Sequence, residues 1–544
     1  MTRAIGGNPF MKNKTVPRRD FLKATGAVVV DVAARGTVSA AVLNGAAGAA
    51  DTTWNVRDFG ARGDGRQLDT LAINHAIEAA AVAGGGTVLL PPGTYLCYSI
   101  HLMSYVTLQL ASGTIVLAAS PPEGDEQQGY DLAEDNKPGE GYQDFGHSHW
   151  HNSLIWGVGL QNVSICGPGL IWGKGISRGE FQGPIATMPG AANKTIALKN
   201  CHDVTLRDFS ILQGGHLGIL TTGVDNLTVD NVKIDTNRAG IDMDCCRNVR
   251  VSRCSINAPW DDAICLKSSF ALGHARAAEM ITISDCMVSG SFEEGTLLDG
   301  TFQRFAEDAD IDRNGRIKFG TESNGGFRNI TITNCIFDGC FGLAILSVDG
   351  AVIEDVTVSN ITMRDTVAAP IFIRLGSRMR GPVGTPVGAI RRINLSNIVS
   401  SSTSSLICSM IAGVPDHRVE DIKISNVLIQ HSGGGTRIEA ARPLEEKERE
   451  YPEPNMFGNT PAHGFLIRHA AGIEISGFKV IASTSDARPC FLLEDVERVD
   501  FANVHAEKVL GTPAFVLNRV QDFSVTGCKA VPDARIASAK HQEL

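Results

Sequence analysis

From Leu160 onward the chain repeats one short pattern twelve times, and this constrains its fold more than any single residue does. DNLTVDNVKIDT (225–236), RNVRVSRCSINA (247–258), RNITITNCIFDG (328–339), EDVTVSNITMRD (354–365) and EDIKISNVLIQH (420–431) are representative units. Each alternates apolar and polar residues, turns at Asn, Asp or Gly, and continues into a second short strand. Where no insertion intervenes the units recur every 22 to 26 residues, a solenoid period. One such unit cannot bury its inner face alone, so stacked coils must share a cylindrical core. The expected fold is all-β, a single-stranded parallel β-helix, with Asn and Ser at the turns stacking into ladders.

Composition agrees with many short strands: of 544 residues 58 are glycine, and aromatics make up only 6%. A net charge of -10 excludes a nucleic-acid backbone as the expected partner. The thirteen cysteines form an odd set without metal-site spacing. Many, including Cys166, Cys254, Cys286, Cys335 and Cys528, follow strand signals and read as small buried packing residues. No cofactor or metal is expected. The segment 1–49 carries Pro17-Arg18-Arg19-Asp20-Phe21-Leu22-Lys23 before an Ala/Val-rich stretch, and resembles a twin-arginine export signal. That implies a periplasmic or extracellular protein with 50–544 as one β-helix domain, and no later stretch is apolar enough to span a membrane. The sequence assigns no oligomeric state.

The region after the signal opens with Asp58-Phe59-Gly60-Ala61-Arg62-Gly63-Asp64-Gly65, then a helical pattern from Asp69-Thr70 to about Ala83, a triple glycine and a strand at Thr87–Leu90. This opening resembles that of pectate-lyase-like, right-handed β-helix enzymes, in which a short helix caps the N-terminal end. Four excursions interrupt the coils: 120–152, 291–319, 376–388 and 433–463. They are expected to frame a groove suited to an extended polymer. The first carries Tyr142, Phe145, His147, His149, Trp150 and His151, with Trp150 or Tyr142 as candidate sugar-stacking rings and the histidines as a weaker candidate metal cluster. Within the last, 444–450 reads as a solvated charged face or short helix.

The chemistry concentrates at 237–267, where Asp242 and Asp244 precede the pair Asp261-Asp262 by one coil. Neighbouring acids bracketed by apolar residues pair with cations or do acid-base chemistry, because like charges raise one pKa; the dipeptide alone also reads as a solvated turn. Asn237-Arg238-Ala239-Gly240-Ile241-Asp242 followed by Asp261-Asp262-Ala263-Ile264-Cys265-Leu266-Lys267-Ser268 resembles the active-site motifs of polygalacturonase-like pectin hydrolases, glycoside hydrolase family 28. The resemblance runs from about Trp54 to the last coils. It implies inverting hydrolysis of a glycosidic bond in a pectin-related or other plant polysaccharide, with Asp261 as proton donor and Asp262 among the carboxylates that hold the attacking water. The third carboxylate of that set aligns with Ala239, which implies weakened or absent turnover. An alanine standing in an otherwise complete site would leave a carboxylate-sized void beside it.

His216 falls where the family has a His or Trp before the active coils. The family's Gly-His-Gly element aligns with Asn314-Gly315-Arg316, ahead of Phe319-Gly320-Thr321-Glu322, and its Arg-Ile-Lys element aligns with Ala344-Ile345-Leu346. Both cations of the latter are missing, so ordinary homogalacturonan fits poorly. Arg316, Lys318 and Arg374 are candidate replacements, and Lys267 is a candidate partner for the acid pair. With Arg238, Asp242, Glu322 and Trp150 they complete the expected substrate-binding set. Asp308, Asp310 and Asp312 alternate as in a calcium loop but lack its closing glutamate, since Phe319 holds that place, and read as a polar loop. Two alternatives stand beside the hydrolase: a glycan-binding β-helix without turnover and, less favoured, a polysaccharide lyase.

Overall fold

The computed structural model describes residues 53–122, 129–135, 142, 145–176, 190–236, 238–293, 295–301, 303–306, 308–403, 406–506 and 509–544. The expected export segment lies outside them. The described strands stack as a parallel β-helix in which each strand pairs with its counterpart one coil away. Only the closing strand, Ala534–Glu543, pairs antiparallel, against Phe515–Thr526. No helix among the described residues is long and apolar enough to cross a membrane.

In-register stacking puts like residues on like. The column Val249, Ile281, Ile330, Val356, Ile393, Ile422, Ile473, Val499 and Phe523 runs through successive coils. Each of these side chains is buried in the single core cylinder, and burying one aliphatic side chain contributes about 1.5–3 kcal/mol. The turns follow the expected ladder: Asn426 donates to Asn397, Asn397 to Asn360, and Asn360 to Asn334 at 3.1–3.2 Å. These four residues sit at φ of 54–57°, the left-handed region that Asn tolerates better than most side chains. All thirteen cysteines are buried free thiols, as packing residues should be.

The helix Thr70–Val82 caps the N-terminal end, within a residue of expectation. Asp69, just before it, does not cap the helix; its carboxylate accepts from the backbone N–H groups of Arg62 and Gly63 and folds that loop under the first coil.

One outward column determines where a site can exist. It runs Trp156, Ala197, Leu220, Asp242, Cys265, Lys318, Ala344, Phe372, Met410, Leu466, Leu492. A sheet face this apolar needs a cover. Toward the C-terminal end the excursion 433–463 crosses it as a strap, packing Phe457, Met456, Leu444 and Ala462 over Ala344, Phe372, Met410 and Leu466. Toward the N-terminal end Trp150 and Ala271 cover Ala197 and Leu220. The expected open groove is therefore filled on both sides of Asp242–Lys318.

The strap is tied down along its length. Arg374 donates to the carbonyls of Gly413, Glu446 and Lys447, and Arg468 to Glu445 O and the Glu446 carboxylate. The tract 444–450 is pinned through its backbone while Glu445, Arg449 and Glu450 stay exposed as a charged face, and the short helix lies upstream at Arg437–Ala440. At the strap's two roots, His431 Nε2 donates to His463 Nδ1 at 3.1 Å while His431 Nδ1 accepts from Gly433 N. Beside them Arg488 forks onto Asp486 and also donates to Leu406 O and Thr460 O.

Both histidines need a bare Nδ1 for these bonds. Burial lowers the pKa of both, and the neighbouring His431 helps bring His463 down to about 4. The unfolded chain takes up the proton near pH 6.5, so stability should fall as the pH drops from there toward 4, by about 1.4 kcal/mol per pH unit for His463. Urea denaturation at pH 7 and pH 5 checks this, with His463→Gln expected to show a smaller loss than the wild type.

Candidate active site

Between the two covers a pocket of about 70 Å³ opens on the outward column, lined by His147, Arg238, Asp242, Asp261, Asp262, Cys265, Lys267, Lys318, Thr321, Glu322 and Tyr451. Three successive coils build it. The strand Ala239–Asp244 supplies Asp242, the loop before Ile264–Ser268 supplies the acid pair, and Ile317–Ser323 supplies Lys318 and Glu322. Strand alternation decides which residues point outward, so Ile241 and Met243 enter the core while Asp242 faces the pocket.

The carboxylates are paired throughout. Asp261 accepts from Arg238 Nη2 at 3.0 Å and from Asp262 N at 2.8 Å. Asp262 holds Arg316 Nε and Lys318 Nζ, each at 3.0 Å. Glu453, carried on the strap, meets the same two cations, Arg316 Nη2 at 2.5 Å and Lys318 Nζ at 3.2 Å. Lys267 Nζ lies 2.5 Å from Glu322 and 3.7 Å from Asp242, and Arg380 closes on the other Glu322 oxygen. Asp242 Oδ2 also lies 3.1 Å from His147 Nε2, whereas its Oδ1 is buried without a partner among the described residues. Asp242, Asp261, Asp262, Glu322 and Glu453 are thus matched by Arg238, Lys267, Arg316, Lys318 and Arg380.

These charges set the proton affinities. Burial pushes Asp261 up, but Arg238 and Lys318 outweigh it and hold the carboxyl well below its usual range. For Asp262 burial prevails over Lys318 and Arg316, helped by the negative charge of Asp261 and Glu453, and the group is raised. Burial would lower Lys267 and Lys318, yet their acid partners keep both firmly protonated. The Arg238 guanidinium beside Asp261 accounts for the asymmetry.

Several expected residues stand elsewhere than the sequence implied. Trp150 is 1% exposed, packed on Ala197, Leu217, Leu220 and Ala239, with Nε1 donating to Thr222, so no face is open to a sugar. Arg374 pins the strap and does not line the pocket. Arg316 is 0% exposed, committed to Asp262 and Glu453 beneath the pocket. His216 is buried behind His147, their rings edge to face at 5.7 Å, and burial drives its pKa well down. Ala239 sits in the apolar cluster with Trp150 and does not line the pocket. Asp242, Lys267, Lys318, Glu322 and Arg238 do meet at the pocket. No described group of acids or histidines forms a metal site, the 308–312 loop included.

Sequence reasoning missed Tyr451 and Glu453, and weighed His147 only as one of a histidine cluster. The signal for the first two was Tyr451-Pro452-Glu453-Pro454: each proline forces the residue before it into an extended conformation, fixing where both side chains project.

The family described as "Rhamnogalacturonase A/epimerase, pectate lyase-like" matches residues 53–150, and "Right handed beta helix region" matches 194–379. "Probable polygalacturonase" of Vitis vinifera is 23% identical over 411 residues, covering 70% of this chain and 75% of its own. "Mannuronan C5-epimerase AlgE6" of Azotobacter vinelandii is 64% identical over 42 residues, and the chain spans only 5% of its length. Among solved structures, an exopolygalacturonase from Thermotoga maritima aligns over 91% of this chain and 94% of its own with a TM-score of 0.55 at 17% identity. A family 28 exopolygalacturonase from Yersinia enterocolitica aligns over 86% of this chain and 78% of its own with a TM-score of 0.57 at 18% identity. At these identities the two structures establish the right-handed β-helix fold.

The buried network itself makes a prediction. Arg316→Leu strands Asp262 and Glu453 beside each other with Lys318 alone between them, and should cost about 3–5 kcal/mol in urea denaturation.

Proposed function

This chain is a pectate-lyase-like right-handed β-helix protein with a polygalacturonase among its relatives, and from that standing we propose that it hydrolyses a glycosidic bond of a plant polysaccharide with inversion, using Asp261 and Asp262. The carrying observation is the placement of two adjacent carboxylates, Asp261 on Arg238 and Asp262 on Arg316 and Lys318, at the one polar break in an otherwise covered column. Inverting hydrolysis needs one carboxyl that donates a proton to the leaving oxygen and one carboxylate that takes a proton from water. Asp262, pushed up by burial, is the donor; Asp261, kept ionised by Arg238, orients the water. Asp242 Oδ1, buried and unpartnered at the pocket wall, is suited to accept a sugar hydroxyl.

Every pocket cation already faces a carboxylate among the described residues, so a uronate would enter without a spare positive partner. The pocket therefore favours an uncharged, hydroxyl-rich sugar over galacturonate. The twin-arginine-like segment 1–49 supports export to where such polymers are met.

Release of reducing ends from rhamnogalacturonan, homogalacturonan and xylan tests the reading. Asp262→Asn and Asp261→Asn should each lower the rate by about 10²–10⁴-fold. Arg238→Leu frees Asp261 to rise, so the acid limb of the pH–rate profile should move to higher pH while the basic limb, set by Asp262, stays. Binding without products in all three, unchanged by Asp261→Asn, would replace this reading with a glycan-binding β-helix that does not turn over.

A further inference from the structure

The outward column is covered on both sides of the pocket. Ala197 and Leu220, on the N-terminal side, and Ala344, Phe372, Met410 and Leu466, on the C-terminal side, are each at most 1% exposed. The polar break between them consists of three rungs, Asp242, Cys265 and Lys318, themselves only 1–3% exposed. At about 4.8 Å per rung, three rungs leave roughly 10–14 Å along the helix axis, enough for about two sugar rings. A polymer lying along the axis would have to pass through Trp150 at one end or through the strap at the other.

Both covers are built in rather than loosely laid. The strap is held by Arg374 and Arg468 along its span and by Glu453 at the pocket edge, where Glu453 binds Arg316 and Lys318. Trp150 is fixed by the Thr222 hydroxyl and by Lys199 Nζ, 3.4 Å from its ring centroid. Tyr451 stands where the strap meets the mouth: it is 53% exposed and lies near the cations of Lys318 and Arg378, at 5.5 and 5.9 Å from its ring centroid. An aromatic ring on the rim gives an entering sugar a face to stack on.

We infer that this site receives the end of a glycan chain, and that the strap 433–463 and the Trp150 segment are its specificity determinants, admitting a terminal sugar and excluding an internal stretch. The inference rests on the hydrolytic reading for its products but not for its binding geometry. A chain end enters from the solvent side past Tyr451, its terminal ring reaching Asp242, Asp261 and Asp262, while the rest of the polymer remains outside.

Trimming the strap would uncover Phe372 and Met410 and risks the fold, so the test uses the intact chain with rhamnogalacturonan, homogalacturonan and xylan, each as polymer and as a purified long oligomer of defined length. Product size and solution viscosity are followed from the first turnovers, and binding stoichiometry is measured by calorimetry on the Asp262→Asn variant. The expected result is release of mono- or disaccharide with viscosity almost unchanged while reducing ends accumulate. Stoichiometry should be one protein per oligomer chain whatever its length. A ladder of mid-sized fragments with an early collapse of viscosity would overturn the chain-end site while leaving hydrolysis intact. With no products at all the hydrolytic reading fails, and stoichiometry alone decides: one protein per chain supports end binding, and several along each chain overturn it. No binding to any of the three polymers overturns both.

Discussion

A coil of some two dozen residues has no interior of its own, and everything in this protein follows from its need to borrow one from the coils above and below. Registered stacking satisfies that need by setting each aliphatic residue on another, as in the column from Val249 to Phe523. The same register operates on the outer faces, where it makes columns of whatever the sequence supplies. An apolar outer column is a liability unless it is covered. Here the covers are the insertions, and the candidate active-site pocket is the gap they leave.

Within that gap the physics is of charges removed from water. Isolated buried carboxylates would neutralise, and isolated buried cations would lose their protons. The network avoids both by sharing: Arg316 and Lys318 each serve Asp262 and Glu453, and Lys267 serves Glu322 while lying near Asp242. Breaking a buried pair costs more than forming it gains. Under the proposed hydrolysis the network serves to hold Asp261 and Asp262 at different proton affinities. The alanine at 239 packs in the apolar cluster with Trp150, and its neighbour Arg238 is the residue that reaches Asp261.

How far the sequence disclosed this depends on whether a feature is local or distant. The coil repeat, the capping helix, the asparagine ladder and the buried cysteines could all be read because alternation and turn chemistry act within a few residues. The acid pair could be read for the same reason, since Asp242 and Asp261 sit at fixed places in successive coils. What could not be read was which long-range partner each charge would find. Arg316 looked like a substrate-binding cation until the strap placed Glu453 against it from 137 positions away. Arg374 and Trp150 carry the right chemistry for sugar binding, and both are used to fasten or form covers instead. Insertions obey no period, so nothing in the repeat says where they return.

The central proposal is that Asp261 and Asp262 divide base and acid roles at a scissile bond. Proton NMR of the first sugar released, recorded before mutarotation scrambles it, tests this most directly. The account predicts an anomer of configuration opposite to the bond cleaved, because water attacks from the face away from the leaving oxygen. A product of retained configuration, or an unsaturated one that absorbs in the ultraviolet, would contradict it.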